Sequence, residues 1–161
     1  MNRFTISPDF LEFSATEETC EYLLNVLFVF AQDNPYKLCL DKRGLARAQY
    51  ERIIESHECL LFWIGMINMK SRNIETVEIA GHQYESTQEL FLAIADAIYP
   101  NKKLITSDKS LFAEWQKYIT LHGINLIDGD EAKGMLMQPT VIQISNGNNS
   151  PNINGNNNTI R

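Results

Sequence analysis

The sequence predicts an α/β fold: a three-layer α/β/α domain with a mostly parallel central sheet. Three observations predict it. Short apolar runs of strand length recur along the chain, and longer apolar or amphipathic stretches of helix length separate them. The short runs end in turn or acidic residues, as strands do when a loop follows. The elements alternate as β-α-β-α-α-β-α-β, which implies a largely parallel sheet with helices on both faces.

The elements follow in order. Phe4 to Phe13, FTISPDFLEF, begins with a short strand that the chain leaves at Pro8-Asp9. Glu17 to Phe30 opens with acids and turns strongly apolar, as a buried helix does after an acidic first turn. Asp33-Asn34-Pro35 breaks it. Tyr36 to Leu40 is a buried strand ending at Asp41, and Lys42-Arg43-Gly44 is a turn. Ala46 to Glu55 reads as a helix, and Cys59 to Ile67 is too apolar to be exposed. Thr76 to Ile79 reads as a short strand. Ser86 to Ile98 is an amphipathic helix with an N-cap in Ser86 or Thr87, stopped by Pro100. Lys103 to Thr106 is a strand, Leu111 to Leu121 a helix capped by Gly123, and Ile124 to Ile127 the last strand.

Bulk composition narrows the function classes. The chain has 161 residues, read as one domain over 1–138 and a tail over 139–161. Hydrophobic residues make up 44%, enough for a sizeable core. No apolar run approaches the ~18 residues of a membrane span, and MNRFTISPDF lacks the long apolar centre of a signal peptide. A cytoplasmic protein without membrane contact is expected. Net charge is −6, which counts against passive coating of nucleic acid but not against a metal-dependent enzyme acting on it. Cys20, Cys39 and Cys59 show no metal-binding spacing and read as buried thiols. His57, His82 and His122 are scattered and read as surface or capping residues.

Asp9, Asp41 and Asp108 each follow a short apolar strand. In a parallel sheet the carboxyl ends of the strands share one edge, so these acids converge there. Clustered carboxylates repel, and a divalent cation offsets that repulsion; oxygen-only donors suit Mg²⁺ or Mn²⁺. Taken singly, each acid also reads as a turn or N-cap residue. Lys42 and Arg43 beside Asp41, and Lys109 beside Asp108, stand where phosphates of a nucleic acid would need cations.

Several stretches resemble the PIN-like nucleases. LDKRGLARAQYERII (Leu40 to Ile54) is similar to that family's strand-end Asp, Gly turn and helix carrying an acid-Tyr pair. LITSDKSL (Leu104 to Leu111) resembles its late strand followed by Thr-x-Asp, and FLAIADA resembles the Ala-rich helix before it. Ser7-Pro-Asp-Phe-Leu11 stands where the first strand and its Asp belong. The resemblance covers roughly residues 4 to 130. It implies acids that hold divalent ions, Mg²⁺ or Mn²⁺, and cleave single-stranded RNA, and it leaves open whether DNA is also cut. Asp9 matches the first acid and Asp108 the last, with Asp41 as a further catalytic acid. Either Glu85 or Glu89, flanking Thr87-Gln88, matches the third. Gln49 stands before Tyr50, where the pattern has an acid. The resemblance leaves two functions open, an endoribonuclease and a catalytically inactive PIN-like module acting as an assembly or adaptor protein for a partner protein.

In the tail, eight of the fourteen residues from Ser145 to Asn158 are asparagine, and Asn-Gly-Asn-Asn occurs at 146–149 and 154–157. Isoleucines punctuate it, among them Ile144, Ile153 and Ile160. Asn and Gly tolerate tight turns, and stacked Asn side chains form hydrogen-bond ladders. Two repeats bury too little to stand alone, so the tail is expected to join subunits into a homo-oligomer, with a disordered tail as the alternative. It resembles tails on bacterial conflict-system effectors, which implies a role in antiviral defence.

Overall fold

The computed structural model describes residues 2–16, 36–57, 61, 65, 74–132, 153–154 and 156–157. The helix expected over 17–30, Cys20, Cys59, Ile144 and Ile160 lie outside the described residues. Five strands form one sheet: β1 (Asn2–Ile6), β2 (Tyr36–Asp41), β3 (Ile74–Val77), β4 (Lys103–Ile105) and β5 (Asn125–Ile127). Every pairing is parallel, and the order is β3-β2-β1-β4-β5. The chain therefore starts at the centre, builds outward to β3, then returns to the other side of β1. Phe4 pairs with Leu38 on one side and with Lys103 on the other. The gap between the ends of β1 and β4 is where strand order reverses, the place where α/β sheets bind ligands.

Both faces of the sheet are covered, as three layers require. Successive strand residues point to opposite faces, yet Phe4, Thr5 and Ile6 are all fully buried, as are Leu38 and Cys39, and Leu104 and Ile105. That double burial is why these strands read as continuous apolar runs. The edges differ: β3 alternates little and buries only Val77.

The helices are α1 (Pro8–Thr16), α2 (Leu45–Ile54), α3 (Thr87–Asp96) and α4 (Gln116–His122). A 3-10 helix spans Lys109–Trp115. In α2, Ala46, Tyr50, Ile53 and Ile54 make one buried stripe at helical spacing. α3 is capped by Ser86, whose hydroxyl accepts from Glu89 N–H at 3.1 Å, and buries Leu90, Phe91, Ile94 and Ala95. The Tyr50 and Phe91 rings, with centroids 5.9 Å apart, join α2 to α3. Truncating Phe91 to alanine would remove about 3–5 kcal/mol of stability.

Three sequence expectations change. The chain does not simply leave β1 at Pro8: it enters α1 there, with proline at the first helical position and Asp9 in the first turn. The helix expected over Leu111 to Leu121 is two pieces, a 3-10 helix ending at Trp115 (φ −102, ψ 12) and α4 from Gln116, and Phe112 (φ −108, ψ 16) kinks the first. Gly123 ends the second piece with φ 68, a left-handed conformation that glycine adopts without strain. Within the apolar stretch from Cys59 to Ile67, Leu61 is 60% exposed, not buried. Among the described residues no helix is long and apolar enough to cross a membrane. In the tail, β6 (Ile153–Asn154) and β7 (Asn156–Asn157) pair with each other in a separate sheet.

Candidate functional site

Asp9 and Asp108 flank the switch point. β1 ends at Ile6, and the Ser7 N–H donates to Ile105 O at 2.8 Å, which ties the start of α1 to the end of β4. Asp9, in the first turn of α1, thereby meets the residues that follow β4. Its Oδ2 accepts three hydrogen bonds: from Thr106 Oγ1 at 2.6 Å, Ser107 N–H at 2.6 Å and Ser107 Oγ at 2.7 Å. Among the described residues no group donates to the other oxygen, Oδ1.

Thr106 links the two acids. Its hydroxyl has one proton, which goes to Asp9, so it accepts from the Asp108 N–H at 3.3 Å. Asp108 is exposed, and its Oδ1 accepts from Ser110 N–H at 2.9 Å, capping the 3-10 helix. The Ser110 hydrogen bonds hold its carboxyl below the ordinary aspartate range. Asp9 Oδ1 and Asp108 Oδ2 are thus carboxylate oxygens free of hydrogen bonds from described residues, and the Thr106 hydroxyl joins the Asp9 carboxylate to the Asp108 backbone N–H.

Asp41 is placed differently. It is buried at the end of β2, and both its oxygens serve α2: Oδ2 accepts from Leu45 N–H at 2.9 Å and Oδ1 from Ala46 N–H at 2.8 Å. The turn that permits this needs Gly44 at φ 82. Gln49, on the same helix, accepts from Thr87 Oγ1 at 3.3 Å. Tyr50 reaches the end of β1, its hydroxyl donating to Ile6 O at 2.5 Å. Burial pushes the Tyr50 phenol far above its ordinary range.

Glu85 and Glu89 stand together at the start of α3, where Glu89 Oε1 accepts from Glu85 N–H at 2.8 Å. Glu89 Oε2 lies 3.7 Å from His82 Nε2. Among the described residues no three His, Cys, Asp or Glu side chains gather into a metal-holding group. The expected phosphate-binding cations already have partners. Lys42 Nζ meets Glu78 Oε2 at 3.2 Å, and Lys109 Nζ meets Glu131 Oε1 at 3.0 Å. Arg43 Nη1 donates to Ala80 O and His82 O, both at 3.0 Å. The two ion pairs are exposed and screened by solvent, so each is weak and a phosphate can displace it.

The sequence reading missed a second polar cluster. Asp96 accepts from Lys102 Nζ at 2.7 Å, and His122 Nδ1 lies 3.2 Å from it. The Tyr118 ring stacks on His122 with centroids 4.0 Å apart. Burial pushes the Asp96 carboxyl up, but Lys102 and then His122 outweigh it and leave it below its ordinary range. Tyr118 and His122 are four apart on α4, a spacing that marks one helical face. The Thr106-Ser107 anchor of Asp9 also went unread, although two hydroxyl residues directly before Asp108 were visible in LITSDKSL. No family model, no curated protein and no solved structure matches the chain.

Proposed function

We propose that the protein is a cytoplasmic, PIN-like, divalent-metal-dependent endoribonuclease acting on single-stranded RNA. One observation supports the reading: among the described residues nothing donates to Asp9 Oδ1 or Asp108 Oδ2 at the switch point of a parallel sheet, with the Asp9 side chain held by Thr106 and Ser107 and that of Asp108 by the Ser110 N–H. Two carboxylates suit Mg²⁺ or Mn²⁺, because Mg²⁺ keeps several waters and completes its shell with one or two carboxylates and substrate phosphates. When bound, the ion supplies a water of lowered pKa and neutralises phosphate charge. Thr106 and Ser107 fix the Asp9 carboxylate, so its free oxygen is presented in one orientation. The Ser110 N–H fixes Asp108 Oδ1 and lowers its carboxyl further below the ordinary aspartate range. Lys42, Arg43 and Lys109 exchange their present partners for phosphates, and Glu85 or Glu89, beside the start of α3, is the candidate for a third acid.

The test is cleavage of a labelled single-stranded RNA with Mn²⁺, with EDTA, and with Asp108→Asn. Cutting that needs both the metal and Asp108 supports the reading. Unchanged cutting by Asp108→Asn refutes it.

The second reading is a catalytically inactive module that works in assembly. It is favoured by Gln49 in place of an acid and by the full use of both Asp41 oxygens in capping α2. Under either reading the tail joins copies of the chain, with Ile153 in β6 and with Ile144 and Ile160 as the residues that pack between copies. Truncation at Gln143 should then lower the mass in solution; an unchanged mass removes this role from the tail.

A further inference from the structure

Two clefts share the side chain of Tyr84, and neither includes Asp9 or Asp108. The first encloses about 390 Å³. One face of α3 lines it through Leu92, Ala93 and Ala97, and the small alanines leave it deep. Aromatic rings stand around that face. His82 and Tyr84, with centroids 4.4 Å apart, come from the segment after β3. Trp115 and Tyr118, at 6.2 Å and edge to face, come from the helices after β4. Glu89 belongs to the same lining, with Oε1 on Glu85 N–H and Oε2 toward His82.

The second cleft, about 430 Å³, adjoins the first at Tyr84 and carries Arg43, Arg52 and Gln49. The Arg43 guanidinium lies 5.9 Å from the centroid of the Tyr84 ring. It spends only Nη1 on the Ala80 and His82 carbonyls. Its Nε and Nη2 donors have no acceptor among the described residues.

We propose that the two clefts form a guanylate site, with a guanine base in the first and its phosphate in the second. A planar heteroaromatic ring stacks on tyrosine and tryptophan. A carboxylate only accepts hydrogen bonds. Guanine presents two adjacent N–H donors on its Watson–Crick edge and so matches the two oxygens of Glu89. Adenine places a ring-nitrogen acceptor there, which a carboxylate repels. The arginines of the second cleft suit a phosphate. A cationic side chain of a partner would also suit Glu89 and the rings, but Arg43 and Arg52 next door repel it, and the other acids of the first cleft, Glu78 and Asp96, are already paired with Lys42 and Lys102. The base belongs either to a free nucleotide or to a guanine within single-stranded RNA. The site shares Arg43 and Glu89 with the nuclease reading but uses neither Asp9 nor Asp108, so binding measured without metal or cleavage reads it separately.

Isothermal titration of the full chain in EDTA tests this, with GMP, AMP, guanosine, arginine methyl ester and the tetranucleotides UGUU and UAUU. GMP should bind at least about tenfold more tightly than AMP, since the wrong base leaves Glu89 unpaired. Guanosine should bind more weakly than GMP, and Arg43→Gln should weaken GMP but not guanosine. Glu89→Gln keeps an oxygen for the Glu85 N–H and should erase the preference for GMP over AMP. UGUU binding tighter than GMP assigns the site to a strand; equal or weaker binding assigns it to the free nucleotide. Equal affinity for GMP and AMP, no GMP binding at millimolar concentration, or arginine methyl ester bound in place of GMP each overturns the proposal.

Discussion

Ser107 grips Asp9 twice. Its backbone N–H and its hydroxyl both donate to the same carboxylate oxygen, at 2.6 and 2.7 Å. With the Thr106 hydroxyl as third donor, Asp9 Oδ2 is the clasp between the start of α1 and the end of β4. An acid read from sequence as a metal ligand therefore also holds the sheet's reversal point together.

That double role predicts a graded loss of stability. Ser107→Ala keeps the backbone N–H and should cost about 1 kcal/mol. Asp9→Ala leaves the Ser107 N–H and the Thr106 hydroxyl without their acceptor and should cost about 2–4 kcal/mol. Urea unfolding followed by circular dichroism gives both values. A cost for Asp9→Ala within about 0.5 kcal/mol of zero would show that the clasp does not stabilise the fold.

Asp41 should behave as a helix cap. Asp41→Ala removes the acceptor of both the Leu45 and Ala46 N–H groups and should cost about 1–2 kcal/mol. Asp41→Asn keeps one oxygen and should fall between that variant and the wild type. If the two variants were equally destabilised, charge and not hydrogen-bond acceptance would govern the position.

Acid should weaken the fold partly through Asp96. Its carboxyl is below the ordinary range in the folded state, since Lys102 and His122 outweigh the upward push of burial. A depressed folded-state pKa contributes stability above the unfolded value, and that stability fades as pH falls below about 4. Asp96→Asn should therefore show a shallower loss of melting temperature between neutral and acidic pH than the wild type. Parallel curves for the two proteins would contradict the assignment.

Cys39 should resist alkylation. It is fully buried on β2, and burial pushes its thiol up to about 11, against the opposing influence of Arg3. Native protein treated with iodoacetamide at pH 8 should leave the Cys39 peptide unmodified by mass spectrometry, whereas urea-unfolded protein should be modified. Rapid labelling of the native chain would mean that β2 opens readily.

Gln49→Glu tests the nuclease reading from the metal side. A carboxylate there still accepts from Thr87 Oγ1 and adds the charge that the family pattern carries. The increase in melting temperature produced by millimolar Mn²⁺ should be larger in Gln49→Glu than in the wild type. No difference would leave Gln49 as a packing residue between α2 and α3.

Much of the fold was legible because burial on both faces writes itself as continuous apolar runs. Leu38 to Leu40 and Leu104-Ile105 were read as strands for that reason, and Ser86 as a cap because a hydroxyl there precedes an amphipathic face. What failed was local backbone geometry. Pro8-Asp9 is a helix start, yet proline after a strand also reads as a break. The kink at Phe112 and the break at Trp115 leave no mark in a stretch that reads as one helix. For the candidate site, residue types announced the acids but not their employment. Asp41 and Asp108 look alike in sequence, each after a strand. One is buried with both oxygens on helix amides; the other is exposed with one oxygen so used. The Asp96 cluster was out of reach, because it joins α3 to α4 across a turn of sequence that no local pattern spans.

The clasp between Asp9 and Ser107 closes across 98 residues of sequence. During synthesis β1 emerges early and pairs with β2, but its other edge waits until β4 and the two residues beyond it have left the ribosome. The switch point therefore assembles only after β2 and β3 have emerged, with β5 alone left to add. Any activity that depends on Asp9 would stay off in a nascent or truncated chain, so timing is built into the strand order.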